Sequence, residues 1–332
     1  MVKVAVLGGS GYVAAEAVRL LLGHPQFELG WVVSSSSSGA RIDEVFPHLT
    51  GAAGDRLFVD EQAFLAHADG PVAVVSALPH GVSGETLRRI FSMLPAGSRA
   101  FDLSSDLRKP DAELGDGKPV HCGLPDIDKV VPEGHVSEPG CFATALTLAC
   151  APLVAEGVVD GPLSLVGVTG STGSGSTAKP GTHHPTRNGG MWAYEPVRHR
   201  HVNEVEMMLG RLGIQPEVWF VPHSGPFSRG IHVTLQTRLN TFCDTDSVWA
   251  QYENFYHESP FIDVSTRMPN LREVQGSNRC HIGVAADGLR VVVTCVIDNL
   301  IKGAAGGGIQ WMNRVYGLPD ETGLDQPGVM WA

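Results

Sequence analysis

The sequence predicts an α/β fold whose amino-terminal part is a doubly wound parallel sheet, with a second domain after it. Three observations predict this. A short apolar strand runs into a glycine-rich turn and then a helix. Apolar strands and helical stretches go on alternating as far as residue 103. A chain of 332 residues, 43% hydrophobic, also exceeds what one core ordinarily organises. No run is apolar and long enough to span a bilayer, and Met1-Val2-Lys3-Val4-Ala5 opens into a strand rather than a leader, so the expectation is a soluble, cytoplasmic protein. The formal net charge of -11 argues against nucleic acid as a general partner. Six scattered cysteines without a C-x-x-C pair point to free thiols rather than a disulfide framework or structural zinc.

The first strand covers residues 3–7, Gly8-Gly9-Ser10-Gly11-Tyr12-Val13-Ala14 is the turn, and residues 16–22 continue with helical spacing. Small residues at Gly8 and Gly11 let the backbone approach a pyrophosphate. Ala14 lets helix pack closely on strand, and the helix N-terminus faces the anion. The spacing is not G-x-G-x-x-G, so an ordinary tight strand-to-helix turn stays open as the alternative. At the end of the second strand, residues 28–33, an NAD enzyme places an acidic residue on the ribose 2′-hydroxyl. Here Ser34-Ser35-Ser36-Ser37-Ser38-Gly39-Ala40-Arg41 stands instead. Hydroxyls near an arginine suit a 2′-phosphate and favour NADP, while residues 36–39 also read as a flexible serine linker. Strands at 72–77 and 100–103 with a helix at 84–94 between them complete the alternation.

The chemistry centres on Pro139-Gly140-Cys141-Phe142-Ala143-Thr144. An apolar run at 145–154 reads as a helix, which puts Cys141 in its first turn. Unpaired N–H groups and the positive dipole end there favour thiolate over thiol, and Pro139-Gly140 turns the backbone sharply to present the sulfur. Alone, a small buried cysteine in a turn would be the blander reading. A strand at 163–169 then runs into Gly170-Ser171-Thr172-Gly173-Ser174-Gly175-Ser176, a loop with donors for a phosphate or carboxylate, or a flexible crossover.

Histidines and arginines crowd the next stretch: His183, His184 and Arg187, then Arg198-His199-Arg200-His201 followed by Glu204. One reading is a metal site, which lacks a cysteine or carboxylate at familiar spacing. Another is a solvated basic face. The third gives one histidine to Cys141 as proton partner and the arginines to an anionic substrate. If the segment is extended, the i, i+2 spacing sends His199 and His201 to opposite sides, so that one faces the sulfur. Residues 277–284 and 290–297 look like two strands of a hairpin joined through Ala286-Asp287-Gly288. Two readings of other classes stand beside a cysteine-dependent reaction: an NADP-binding redox sensor without turnover and a zinc-dependent hydrolase.

The turn Gly8-Gly9-Ser10-Gly11-Tyr12, the cysteine segment 139–144, the H-R-H-x-x-E segment 199–204 and Asp298-Asn299-Leu300-Ile301-Lys302-Gly303-Ala304-Ala305-Gly306 together resemble the N-acetyl-gamma-glutamyl-phosphate reductases of arginine biosynthesis. They also resemble the related reductases of carrier-protein-linked aminoadipyl phosphate in lysine biosynthesis. Both families belong to the aspartate-semialdehyde dehydrogenase superfamily, and the resemblance runs from Val4 to about Leu324. It implies a Rossmann-type NADP-binding domain, residues 1–140 with 300–332, because the last helix returns to it. Residues 141–299 are then an α+β catalytic, substrate-binding and oligomerisation domain with a mixed or antiparallel sheet, in a homodimer or homotetramer.

The resemblance makes Cys141 the nucleophile and His199 and His201 the acid/base and substrate-anchoring candidates. It implies that Gly8, Ser10, Gly11, Tyr12, Val13, Ser34, Ser35, Ser36 and Arg41 hold NADP, with Asn299 beside the nicotinamide. Arg108, His184, Arg200 and Glu204 go to the substrate, and no metal is expected. The reaction implied is NADPH-dependent reduction of an acyl phosphate to a semialdehyde. Its partners are small molecules or, in the lysine branch, an amino-group carrier protein. Aspartate-semialdehyde dehydrogenase activity is a further alternative. Several features depart from the family pattern. Ala14 replaces the usual third glycine, residues 111–119 are short, and 303–308 lacks the usual glutamine. His183-His184-Pro185 followed by Arg187 is closer to the carrier-linked branch.

Overall fold

The structure is a computed structural model describing residues 1–330. It divides into two compact units, Met1–Pro139 with Ala304–Asp325, and Gly140–Gly303 with the tail from Gln326. The sequence boundary at 300 falls at 304, and the tail groups with the second unit, where the Val329 N–H donates to the Gln275 carbonyl at 2.7 Å.

In the first unit, β1 (Val2–Leu7), β2 (Phe27–Val33), β3 (Phe58–Val59), β4 (Val72–Ser76), β5 (Arg99–Asp102), β6 (Val120–Cys122) and β7 (His135–Ser137) form one sheet. Its order is β3-β2-β1-β4-β5-β7-β6 and every pairing is parallel. Winding reverses between β1 and β4, and such a switch point opens a ligand crevice beyond the strands' carboxyl ends. The helices are α1 (Tyr12–Leu22), α2 (Ile42–Val45), α3 (Glu61–His67), α4 (Ser83–Phe91) and, from the end of the chain, α9 (Gly306–Val315). Every residue of β4 is buried, as a strand covered on both faces requires, and Ala5, Leu7, Val74, Phe64, Leu87 and Ile90 meet in one core. Within α9, the wholly buried Trp311 donates its indole N–H to the Gly123 carbonyl at 3.0 Å.

The second unit is built on β8 (Leu163–Thr169), β9 (Trp192–Ala193), β10 (Val218–Ser224), β11 (Ile231–Asp244), β12 (Ile262–Ser265) and β13 (Cys280–Ile297). Their order is β12-β13-β11-β8-β10-β9, a mixed sheet in which β8/β10 and β12/β13 are parallel. Its helices are α5 (Cys141–Ala155), α6 (His184–Arg187), α7 (His201–Gly210) and α8 (Thr245–Tyr256). Helix α5 is buried at every position from Phe142 to Val154, packed among α7, α8, β8, β11 and β13. Pro152 sits inside it, which takes a hydrogen bond from the Leu148 carbonyl one turn back. Tyr256 of α8 restores that bond with its hydroxyl at 2.7 Å, and Tyr252 donates to the Ala149 carbonyl at 2.6 Å.

The hairpin expected at 277–297 is not there. Residues 280–297 are one continuous strand whose first part pairs with β12 and whose last part pairs with β11, on opposite edges. Gly288 takes φ +65° where the β11/β13 register slips, so Ala-Asp-Gly kinks the strand rather than reversing it.

Candidate active site

Cys141 is the first residue of α5, and Gly140 is its extended N-cap with φ −64° and ψ 151°. No acidic side chain of α5 itself lies in that first turn, and the helix's positive end lies beside the sulfur. The Gly140 N–H donates to Glu204 Oε2 at 2.7 Å, which ties the start of α5 to α7. Gly140 has no spare room: a Cβ there would collide with the His201 imidazole. The small residue before the cysteine therefore makes the space the histidine occupies.

His201 opens α7, and His199 precedes it by two residues, with Arg200 between. Their rings lie 4.7 Å apart edge to face, because the chain turns into a helix at this point. The expectation that an extended segment would send them to opposite sides is thereby corrected. His199 is held among Phe142, Tyr194 and Phe220, and its Nδ1 accepts from the His201 N–H at 3.4 Å, which leaves Nε2 as the protonated nitrogen of the neutral ring. Burial pushes the His199 pKa below 6.5, so its ring is neutral at pH 7. Burial likewise pushes Tyr194 up and keeps it a phenol.

Cys141, His199, His201 and Arg200 line one cavity of about 440 Å³ together with Thr169, Lys179, Trp192, Tyr194, Glu195 and Ser224. Glu195 of its lining takes φ +43°, and exposed Val197 two residues on takes φ +68°; a β-branched residue there is a genuine outlier of the kind that clusters at functional sites. Cys150, one helix face away, is fully buried and its thiol is pushed far up, so the two cysteines of α5 differ in chemistry. Among the described residues no three His, Cys, Asp or Glu side chains converge as a metal site.

In the first unit, Gly8 takes φ +76° and a Cβ there would stand 2.7 Å from the Ala77 carbonyl oxygen, so only glycine lets β1 turn into α1 here. Gly11 is the extended N-cap of α1, with no side-chain cap and no acid in the first turn; Ser10 and Tyr12 are exposed, and Val13 is half-buried. Ser34 is buried at the end of β2, its hydroxyl 3.3 Å from that of Ser36, while Ser35 and Ser36 are exposed.

Two family models cover the chain, "Semialdehyde dehydrogenase, NAD binding domain" over residues 3–137 and "Semialdehyde dehydrogenase, dimerisation domain" over 141–299. A protein of Flavobacterium johnsoniae named N-acetyl-gamma-glutamyl-phosphate reductase is 35% identical over 98% of both chains. One of Methanocella arvoryzae with the same name is 34% identical over 99% of both. The chain belongs to the N-acetyl-gamma-glutamyl-phosphate reductase family. It is an oxidoreductase of the semialdehyde dehydrogenase group. The fold is shared with aspartate semialdehyde dehydrogenase II of Vibrio cholerae solved with ASA, at TM-score 0.73 and 14% identity over 96% of this chain and 98% of that one.

The structure gives several of this reductase's expected site residues other partners. Arg108 lies in the first unit, buried, donating to the carbonyls of Glu138 at 2.8 Å and Leu103 at 3.0 Å, where it joins backbone segments rather than lining the cysteine cavity. Glu204 accepts from Gly140 and does not line the cavity either. His184 starts the short α6 outside it. The Asn299 side chain accepts from the Gly230 N–H at 2.7 Å and donates to Thr172 Oγ1 at 3.1 Å. Arg41 is engaged by Asp43 at 2.9 Å and Asp55 at 2.8 Å, which neutralise it. Reasoning from sequence missed Tyr194, Lys179, Thr169 and Ser224 in the reductase's cavity. Only the strand end at Thr169 carried a signal, because ligands gather where strands stop.

Proposed function

We propose that this reductase converts N-acetyl-gamma-glutamyl phosphate to N-acetylglutamate 5-semialdehyde with release of phosphate, drawing its reducing equivalents from NADPH, in arginine synthesis. The observation that carries the reading is Cys141 at the N-terminus of a buried helix, facing a cavity with two histidines. The first unit fits NADP. Gly8 and Gly11 leave room for a pyrophosphate at the start of α1, and Ser34 to Ser36 put hydroxyls rather than a carboxylate after β2. When bound, the cofactor supplies the hydride.

The chain's own part is nucleophilic. The Cys141 thiolate attacks the acyl carbon, the bond to phosphate breaks, and phosphate leaves with the electron pair to give a thioester. After reduction of that thioester, the thiohemiacetal expels thiolate as its carbon–sulfur bond breaks, and the semialdehyde leaves. His201, seated against Gly140, handles the proton that the thiohemiacetal oxygen gains and loses, and neutral His199 fixes the arrangement around it. Arg200 and Lys179 make the cavity attractive to an anion. A carrier-linked aminoadipyl phosphate is the second reading, favoured by the His183-His184-Pro185-Thr186-Arg187 segment.

The test runs the reaction backwards. Purified protein with NADP, phosphate and N-acetylglutamate semialdehyde should form NADPH, read by absorbance, only when phosphate is present. Silence there, with NADPH formed from carrier-bound aminoadipate semialdehyde, would transfer the assignment to the lysine branch. Silence with both would end the reading.

A further inference from the structure

Arg187 is a buried cation that the reaction scheme above does not use. It is 7% exposed, and among the described residues no carboxylate pairs with it. Its Nε is buried with no acceptor, and one terminal nitrogen reaches only the Thr169 and Phe227 carbonyls, both at 3.4 Å. The guanidinium lies 5.4 Å from the centre of the Trp192 ring. Its one close bond is donated by Nη1 to the Ser224 hydroxyl oxygen. Burying a charge without a counterion is costly, and two long bonds to carbonyls do not offset it. An anion that enters the site does.

Ser224 links Arg187 to the cavity. It is the last residue of β10, held between Thr169 of β8 and Trp192 of β9, and it lines the Cys141 cavity with both of them. Because its oxygen accepts from Arg187, its own O–H is left to donate, and among the described residues no side chain takes that proton. A hydroxyl that accepts from a guanidinium is also a stronger donor.

We propose that Ser224, backed by Arg187, anchors an anionic oxygen of the substrate in the Cys141 cavity, Ser224 by direct contact and Arg187 as a positioning residue behind it. The chemistry is that of a phosphate or a carboxylate oxygen, and the substrate class argued above carries both. The inference rests on that reading for the substrate, but its test needs neither cofactor nor turnover.

The rate at which iodoacetamide alkylates Cys141, followed on its own peptide by mass spectrometry, is measured against rising inorganic phosphate and, separately, rising N-acetylglutamate. Wild type should show saturable protection in at least one arm. Ser224→Ala and Arg187→Gln should raise the half-protecting concentration about tenfold or more, the loss of one charge-assisted hydrogen bond. Ser224→Thr, which keeps the hydroxyl, should stay within about twofold. Protection by phosphate places the leaving group at Ser224, and protection by N-acetylglutamate places the carboxylate there. No protection of wild type in either arm overturns the anchor, and so does protection that survives both deletions. Ser224→Ala removes only a half-buried hydroxyl, so it decides the matter even if Arg187→Gln fails to fold. An inactive wild type in the reverse assay would instead sink the function reading and leave these binding curves to judge the anchor.

Discussion

Two helix starts in this molecule are built to the same local plan and surrounded differently. Both α1 and α5 follow a strand, begin at an extended glycine, Gly11 or Gly140, and have neither a side-chain cap nor an acidic first turn. Each presents bare N–H groups and a positive dipole end. At α1 that end is bordered by exposed Ser10 and Tyr12, and the strain is taken by Gly8 behind it. At α5 the N-cap N–H is taken by Glu204, a histidine ring fills the space beside the glycine, and a thiol stands at the first position. The difference teaches that a helix N-terminus is a generic anion site. Its neighbours decide whether it holds a ligand reversibly or steadies a covalent nucleophile.

The largest expected effect would separate the two completely. Cys141→Ser should lower turnover by about a thousandfold or more, because a hydroxyl is a far weaker nucleophile, while NADPH binding followed by fluorescence stays at wild-type affinity. Substantial residual turnover would break the comparison at its covalent end. Gly8→Val is the converse. Its Cβ meets the Ala77 oxygen and its φ is unfavourable, so NADPH affinity should fall by roughly a hundredfold with the Cys141 alkylation rate unchanged. A variant that bound NADPH normally would show that the turn is only a turn.

Glu204 sharpens the covalent end. Glu204→Ala leaves the Gly140 N–H buried without its acceptor, at a cost of about 1–3 kcal/mol, and kcat should drop about tenfold or more. Glu204→Gln keeps an acceptor and should recover most of it, whereas equal damage from both would point to the charge. Replacing Ser34 by Asp tests the other end, and should cut the preference for NADPH over NADH about tenfold, read as kcat/KM with each.

The smallest effect checks that these consequences stay local. The hydrogen bond that His281 donates to Asp263, with the one it donates to Glu273, holds its pKa above 6.5, so His281 stabilises the fold below about pH 6.5 and that contribution is lost as pH rises through the raised value. His281→Asn should therefore lower the urea midpoint at pH 5.5 by the equivalent of up to about 1 kcal/mol, and by less at pH 8.5. Cys141 alkylation should not change.

The first unit was legible because its rules are local. Short apolar strands, a glycine turn and helical spacing each announce themselves over a few residues, and the parallel sheet follows from their alternation. The cysteine and the start of α5 were legible for the same reason. What sequence could not show came from pairings across long separations. Residues 280–297 carry every mark of a hairpin, and only β12 and β11 on opposite edges reveal one strand. Glu204 looked like a substrate ligand, but its partner Gly140 lies 64 residues away. Ser224 sits among Pro, His and Gly with no pattern of its own, and it matters only because Arg187 arrives behind it.

Helix α5, with its proline break repaired by Tyr256, carries one more consequence. Its amides are shielded on every side from Phe142 onward, so they should be among the last in the chain to exchange with deuterated solvent. The Cys141 sulfur would then hang from some of the slowest-opening backbone in the protein. Its aim would then be set by a segment that rarely opens, whereas Glu195 of the cavity lining holds a left-handed backbone with φ +43° outside any helix or strand.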